Sequence, residues 1–108
     1  MTLAAALIFT LSAAFAQDHA KIEQEARAKT EKLAEHIDMT EEQNTLVFRQ
    51  YYELVSTEMR MKNMEGSKEE KARMLEQYQK RTDEGIKAAL DEKQYEKYME
   101  IREKSKKK

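Results

Sequence analysis

The sequence contains no proline and only two glycines among its 108 residues, so very little in it would stop a helix. Proline removes a backbone donor and clashes with the preceding turn, while glycine weakens a helix by about 1 kcal/mol relative to alanine. Glutamate, lysine, glutamine, arginine and alanine, which all favour helix, are abundant. No stretch shows the alternation of apolar and polar residues that indicates a strand. The sequence therefore predicts an all-α protein.

The first sixteen residues, MTLAAALIFTLSAAFA, carry no charge and are almost wholly apolar. This apolar run is too short for a membrane-spanning helix, which needs about 20 residues. It ends in Ala14, Phe15 and Ala16, the small-x-small pattern that precedes a signal peptidase site. We expect residues 1–16 to be a signal peptide cleaved after Ala16, with a membrane anchor as the alternative. Residues 17–108 are then expected to form one exported helical domain.

Two compositional features predict a small core. Charged residues make up 38% of the chain, and the absence of cysteine excludes the disulfides that reinforce many small exported proteins. Self-association is a common way to bury more apolar surface. We therefore expect a homodimer.

Apolar spacing predicts four helices, at about residues 18–37, 40–63, 68–89 and 91–105. Gly66 can adopt a left-handed conformation in the short break between the second and third helices. Two long helices joined in this way predict an antiparallel hairpin of about 35 Å, flanked by a short N-terminal and a C-terminal helix. The residues expected to face the core are Ile22, Ala26, Leu33 and Ile37, then Val47, Phe48, Tyr51, Leu54 and Val55, then Leu75, Tyr78, Thr82, Ile86 and Ala89, and finally Tyr95, Tyr98, Met99 and Ile101.

Two similar pentads, MTEEQ at residues 39–43 and LDEKQ at residues 90–94, mark the starts of the second and fourth helices. Each has an apolar residue, then a residue type that caps helices, then glutamine three places later, the spacing of a capping box. The residues concerned are Met39, Thr40 and Gln43 in the first pentad and Leu90, Asp91 and Gln94 in the second. Ser67 and Glu70 have the same spacing at the start of the third helix.

The paired pentads resemble the LTXXQ motif of the Spy/CpxP group of bacterial periplasmic proteins, which includes the zinc-associated relative ZraP. Met39 stands for leucine in the first copy and Asp91 for threonine in the second, and the resemblance covers essentially the whole chain. It implies a cradle-like helical homodimer in the periplasm, a role in envelope stress, and, as in the Spy branch, binding of unfolded proteins without ATP or another cofactor.

Charge is unevenly distributed along the chain. Residues 17–70 carry a net charge of −5, whereas residues 71–108 carry +4, much of it in a basic tail from about residue 102. Such a tail could touch an anionic membrane surface, or it could be a solvated terminus. Nucleic acid is not an expected partner outside the cytoplasm.

Methionines cluster at the end of the second helix, in the stretch 59–64, and not all of them fall on its apolar face. Flexible thioethers suit a binding surface for varied peptides, and three of them also suit Cu(I). A third interpretation is that these methionines cover the tip of the hairpin. The residues predicted to bind unfolded clients are Phe48, Tyr52, Val55, Met59, Met61 and Met64, with Arg60 and Lys62 steering the encounter.

His19 and His36 are the only histidines, and about 25 Å of helix separates them. They are candidates for a Zn or Ni site only across a dimer; solvent-exposed histidine is the ordinary alternative. No cysteine nucleophile or glycine-rich phosphate loop occurs, so we expect no enzymatic activity. A metal-responsive signalling accessory and a structural or adaptor dimer are the other functions that the sequence leaves open.

Overall fold

The computed structural model describes the backbone of residues 2–106 and the side chains of residues 18–106. This part of the chain forms four α-helices and no strand, which confirms the predicted all-α class. The helices are α1 (Thr2–Ala34), α2 (Glu41–Lys62), α3 (Lys68–Ala89) and α4 (Glu92–Lys106). Side chains of the predicted signal peptide and the last two lysines of the basic tail lie outside the described residues.

Helix α1 differs most from the sequence-based expectation. We expected a short helix from about residue 18, whereas α1 begins at Thr2 and is 33 residues long. The chain has no glycine or proline before Gly66, so no residue type interrupts the helical backbone earlier. At its other end α1 stops at Ala34, but the Ile37 N–H still bonds to the Leu33 carbonyl at 2.9 Å. No helix among the described residues is long and apolar enough to cross a membrane.

The turn between α2 and α3 also differs in detail from the prediction. Asn63, in the right-handed helical region, is the C-cap of α2, and its N–H bonds to carbonyls of the last turn. Gly66 lies later in the turn and has a φ of +153°, a conformation that side-chain-bearing residues rarely adopt. Ser67 then caps α3, accepting a hydrogen bond from the Glu70 N–H at 3.1 Å. The break is therefore where the sequence placed it, but Gly66 does not itself end the helix.

The core is formed by the C-terminal end of α1, the N-terminal half of α2, the C-terminal end of α3, and α4. Helix α1 packs against α2, α2 against α3, and α3 against α4. One cluster of buried residues joins the end of α1 and its following turn to the other three helices; its members are Leu33, Ile37, Val47, Ile86, Leu90 and Tyr98. Both pentads border this cluster, because Met39 packs against it and Leu90 belongs to it.

Most of the predicted core positions are at least partly buried, with one clear exception. Leu75 is 38% exposed although it continues the stripe that contains the buried Thr82 and Ile86. Among residues 18–106 three threonines are buried, and the hydroxyl of each donates to the carbonyl one turn earlier, at 2.8 to 2.9 Å. They are Thr30, Thr57 and Thr82. Because Leu75 is exposed whereas Thr82 and Ile86 are buried, it is the second half of α3 that other helices cover.

Candidate functional site in the groove between α1 and α2

An open groove of about 740 Å³ lies between the middle of α1, at Asp18 to Ile22, and the second half of α2. Its apolar lining comes from Ile22 of α1 and from Tyr52 and Met59 of α2. Ile22 is buried, whereas Tyr52 and Met59 are half-buried and can be reached from solvent. The groove therefore presents an accessible strip of aromatic and thioether surface.

Two aromatic rings lie one helical turn apart on α2: Tyr52 lines this groove, and Phe48 lines a neighbouring one. The Phe48 and Tyr52 ring centroids lie 6.2 Å apart at a tilted angle. Residues of α1 contact both rings: the Arg27 guanidinium lies 5.5 Å from the Phe48 centroid, and the His19 ring lies 5.5 Å from that of Tyr52. Cation–π and aromatic contacts thus fix the position of the two rings relative to α1.

The rim of the groove is mainly basic. Lys21 from α1 and Arg60 and Lys62 from α2 line it, together with one acidic residue, Asp18. The whole chain has a net charge of −1, so this local excess of positive charge is unlike the average surface. The groove therefore combines apolar contacts with attraction for negatively charged groups.

A smaller groove of about 300 Å³ between α2 and α3 continues this surface. It shares Tyr52, Ser56 and Arg60 with the first groove, and it adds Arg81, which lies 5.7 Å from the Tyr78 ring centroid. Tyr52, Ser56 and Arg60 therefore line both grooves, and an arginine lies beside each of them.

Four of the six predicted client-binding residues are accessible. Phe48, Tyr52 and Met59 are half-buried, and Met64 is 47% exposed. Tyr52 and Met59 line the larger groove, whereas Phe48 lines a neighbouring one of about 450 Å³ together with Arg27. Met64 lies in the turn after α2.

The two other predicted client-binding residues, Val55 and Met61, are buried. The prediction that they form part of an accessible surface is therefore corrected. Val55 is 0% exposed and Met61 is 6% exposed. Met61 follows the buried Val47 and Leu54 at intervals of seven residues, so it falls on the same inward-facing stripe. That heptad spacing was visible in the sequence and would have assigned Met61 to the interior.

The candidate metal ligands do not come together. His19 bonds to the Tyr52 hydroxyl through Nδ1, and its Nε2 lies 3.9 Å from Glu23 Oε2. His36 is exposed near the end of α1. Among the residues that the structure describes, no three histidine, aspartate or glutamate side chains form a group that could hold a metal ion.

Each pentad forms a complete capping box, as the sequence predicted. In the first, Thr40 Oγ1 accepts from the Gln43 N–H at 3.1 Å, and Gln43 Oε1 accepts from the Thr40 N–H at 3.0 Å. In the second, Asp91 Oδ1 accepts from the Gln94 N–H at 2.8 Å, and Gln94 Oε1 accepts from the Asp91 N–H at 2.9 Å. The repeated letters therefore start α2 and α4 in the same way.

The two pentads also contact each other, although no spacing along the sequence predicts that contact. The Gln43 amide donates to Gln94 Oε1 at 2.8 Å, and the Gln94 amide approaches Gln43 Oε1 at 3.1 Å. Gln43 also donates to the Ala89 carbonyl at 3.2 Å, and Gln94 to the Asp38 carbonyl at 2.7 Å. These hydrogen bonds join the starts of α2 and α4, which are far apart in sequence, next to the buried cluster. We assign this junction a structural role.

A second polar network joins α3 to α4. Asp83 accepts two hydrogen bonds from the Arg102 guanidinium, at 2.8 and 3.0 Å, and one from the Tyr98 hydroxyl at 2.6 Å. Burial raises the pKa of Tyr98 well above its usual range, and its hydrogen bond to Asp83 raises it further. Burial also raises the pKa of Tyr51 to about 12, although the charge of Arg102 opposes that shift. Both phenols therefore keep their protons at alkaline pH values at which a free tyrosine ionises.

Comparison with known proteins finds no family profile that matches the chain, no similar curated protein and no similar solved structure.

Proposed function

We propose that this protein is an exported, chaperone-like protein that binds unfolded or partly folded proteins without ATP or another cofactor. The observation that supports it most is the groove between α1 and α2. There, half-buried Tyr52 and Met59 lie beside Lys21, Arg60 and Lys62. An unfolded chain exposes apolar side chains next to charged ones, so it offers both kinds of contact.

The chemistry of the groove favours varied partners over a single one. A methionine side chain is unbranched and polarisable, so Met59 can adapt to apolar groups of different shapes. Lysine and arginine on the rim attract acidic residues over distances of about 8 Å at physiological ionic strength. The proposed mechanism is therefore charge-assisted encounter followed by adaptable apolar contact. It requires no catalytic residue.

The resemblance to the Spy/CpxP group supports the same proposal. Under it, residues 1–16 are the signal peptide, the domain resides in the periplasm and serves in envelope stress, and α2 and α3 form an antiparallel hairpin within a cradle-like homodimer. The capping boxes at Thr40 and Asp91 carry that resemblance.

Suppression of aggregation tests the proposal. The purified protein is mixed at equimolar concentration with a chemically denatured client that is then diluted from denaturant, and light scattering is followed. We expect the protein to lower scattering in the absence of ATP. If scattering stays equal to that with an unrelated helical protein of the same size and charge, the proposal is wrong.

A matched pair of variants tests the site. Met59→Gln removes the thioether from the groove, whereas Leu46→Gln changes an exposed apolar residue of the same helix that does not line it. Loss of about 1 kcal/mol of apolar contact corresponds to about fivefold weaker binding. We expect Met59→Gln to raise the concentration for half-suppression about fivefold and Leu46→Gln to leave it unchanged. If the two variants have equal effects, the client-binding site does not lie in this groove.

A further inference from the structure

The six methionines among residues 18–106 differ in what surrounds them. Met59 is half-buried and lines the groove between α1 and α2. Met61 is buried, at 6% exposure, whereas Met64 and Met74 are exposed but do not line that groove. The two that pack against the core cluster are Met39 and Met99. Among these six, only Met59 both contributes to the groove and can be reached there by a small molecule from solvent.

We propose that Met59 is a site of reversible oxidation by peroxides, and that its sulfoxide weakens the binding of unfolded proteins in the groove. The inference rests on the proposed function and adds a modification that regulates the same site. The chain has no cysteine, so its thioethers are the sulfur groups that a peroxide meets.

The step is a transfer of one oxygen atom from hydrogen peroxide to the Met59 sulfur. The sulfur gives up two electrons and an S–O bond forms, while the O–O bond of the peroxide breaks. Both peroxide hydrogens leave with the other oxygen atom as one molecule of water. The thioether is thereby oxidised to a sulfoxide, and the peroxide is reduced to water.

The product changes the character of the groove. Its apolar lining consists of Ile22, Tyr52 and Met59, and of these Ile22 is buried. A sulfoxide is polar, whereas the thioether is apolar and adapts to apolar groups of different shapes. Oxidation of Met59 therefore replaces one of the two accessible apolar side chains of the groove with a polar one.

The surroundings of Met59 can accept the sulfoxide without unfolding the protein. The sulfoxide oxygen is a hydrogen-bond acceptor, and Lys21, Arg60 and Asn63, which line the same groove, carry N–H donors. Met61 is different, because an oxygen atom added to a buried side chain would lose its contact with water. Oxidation at Met59 is therefore expected to alter binding, whereas oxidation at Met61 would destabilise the fold.

Limited treatment of the full chain with hydrogen peroxide tests the site. After the peroxide is removed, the dissociation constant for a labelled, reduced and alkylated polypeptide is measured by anisotropy and divided by its value before treatment. We expect this ratio to be about five for the original protein, as for the loss of one apolar contact. It should be the same for Met74→Leu, which removes an exposed methionine outside the groove, and about one for Met59→Leu. Because each variant is compared with itself, any effect of the substitution on the unoxidised protein cancels.

Tandem mass spectrometry of the treated protein locates the added oxygen atoms, and circular dichroism verifies that the protein remains helical. We expect sulfoxide at Met59 and Met74 and an intact thioether at Met61. An equal ratio for Met59→Leu and the original protein would overturn the proposal. So would a thioether that persists at Met59 when Met74 has been converted.

Repair provides a second readout. Methionine sulfoxide reductases of both epimer specificities, supplied with a thiol, break the S–O bond; the oxygen leaves as water and two thiols become a disulfide. This treatment should restore the original dissociation constant. Binding that stays weak after mass spectrometry shows a thioether at Met59 would assign the loss to another modification and contradict the proposal.

The unoxidised protein separates this inference from the proposed function. If it binds no unfolded polypeptide, the proposed function fails, and the inference fails with it. If it binds and oxidation of Met59 leaves the affinity unchanged, the inference alone fails and the proposed function stands.

Discussion

Gln43 and Gln94 each use one side-chain amide for two purposes. The Oε1 atom of each accepts the backbone N–H of its own helix cap, while its Nε2 donates across to the other pentad and to a carbonyl, Ala89 or Asp38. Asparagine is too short for both contacts, and glutamate would lose the donor. The requirement for glutamine in both copies therefore follows from the contact between them as well as from helix capping.

A double-mutant cycle measures that coupling. Gln43→Ala and Gln94→Ala each remove several hydrogen bonds, at a net of about 0.5–1.5 kcal/mol apiece, so each should lower the free energy of unfolding by about 2 kcal/mol. The double variant should lose about 1 kcal/mol less than the two single losses together, because the shared contact is removed only once. Urea unfolding followed by circular dichroism gives the values, with Gln77→Ala, at an exposed position, as the control. Strict additivity would show that the pentads act only as separate caps.

The two buried tyrosines predict a loss of stability at high pH. The pKa of Tyr51 rises from 10.0 to about 12 on folding, and that of Tyr98 rises further. Below pH 10 both states keep the protons, so the stability contributed by the neutral rings is fully present. Between pH 10 and 12 the unfolded state loses them and the folded state does not. Stability should therefore fall by about 1.4 kcal/mol per pH unit for each tyrosine.

The variant Tyr98→Phe should roughly halve the loss of unfolding free energy per pH unit between pH 10 and 12, because it removes one of the two ionisable phenols. At neutral pH the same variant should cost about 1 kcal/mol, since it removes the hydrogen bond to Asp83. Free energies of unfolding measured from pH 8 to 12 test both statements. An unchanged slope would mean that other groups cause the alkaline loss.

Individual residues show what sequence patterns could and could not predict. Thr40, Ser67 and Asp91 were correctly predicted as helix caps, because capping depends on residues three places apart along the chain. The bond between Gln43 and Gln94 could not be predicted, because it depends on how distant helices meet. Met61 is different: its burial follows from its spacing of seven residues from Leu54 and fourteen from Val47, which the sequence contains.

At the level of the helices, one largely buried ion pair, Asp83 with Arg102, joins α3 to α4 beside the apolar contacts of Tyr98. Asp83 and Arg102 are only 14% and 21% exposed, and two hydrogen bonds join them. Such a pair differs from Lys97 and Glu100 on the surface of α4, which are more than half exposed and 3.7 Å apart. Surface pairs contribute little, whereas breaking a buried pair leaves a charge without its partner.

Arg102→Ala should therefore lower the free energy of unfolding by about 2 kcal/mol or more and speed amide hydrogen exchange throughout α4. Lys97→Ala should change stability by less than about 0.5 kcal/mol and leave exchange as it was. Hydrogen exchange with mass spectrometry compares the two variants. Equal protection of α4 in both would mean that the apolar contacts of Tyr98 hold the helix without the ion pair.

The extent of each helix was predictable where a cap or break was encoded and not elsewhere. Helix α3 runs from Lys68 to Ala89, as expected from the cap at Ser67 and the following pentad. Helix α1 begins at Thr2, whereas the sequence predicts the first helix of the domain from about residue 18; no residue type in the apolar segment before it interrupts a helix. Composition alone does not fix where a continuous helix begins.

Across the whole molecule, the buried core and the proposed binding groove occupy different regions. The core cluster and the pentad junction lie together, around Leu33, Val47 and Leu90. The groove containing Met59 contributes no residue to that cluster. Variants of this groove are therefore expected to alter binding with little loss of stability, which makes the proposed function testable without unfolding the protein.

The most direct test is a binding titration with a fluorescently labelled polypeptide that cannot fold, such as a reduced and alkylated disulfide protein. We predict a saturable rise in anisotropy at micromolar concentrations of this protein, weakened by Met59→Gln, and no rise with the oxidised, folded form of the same polypeptide. Absence of saturable binding to the unfolded form, or equal binding to both forms, would contradict the proposal that the protein recognises unfolded chains.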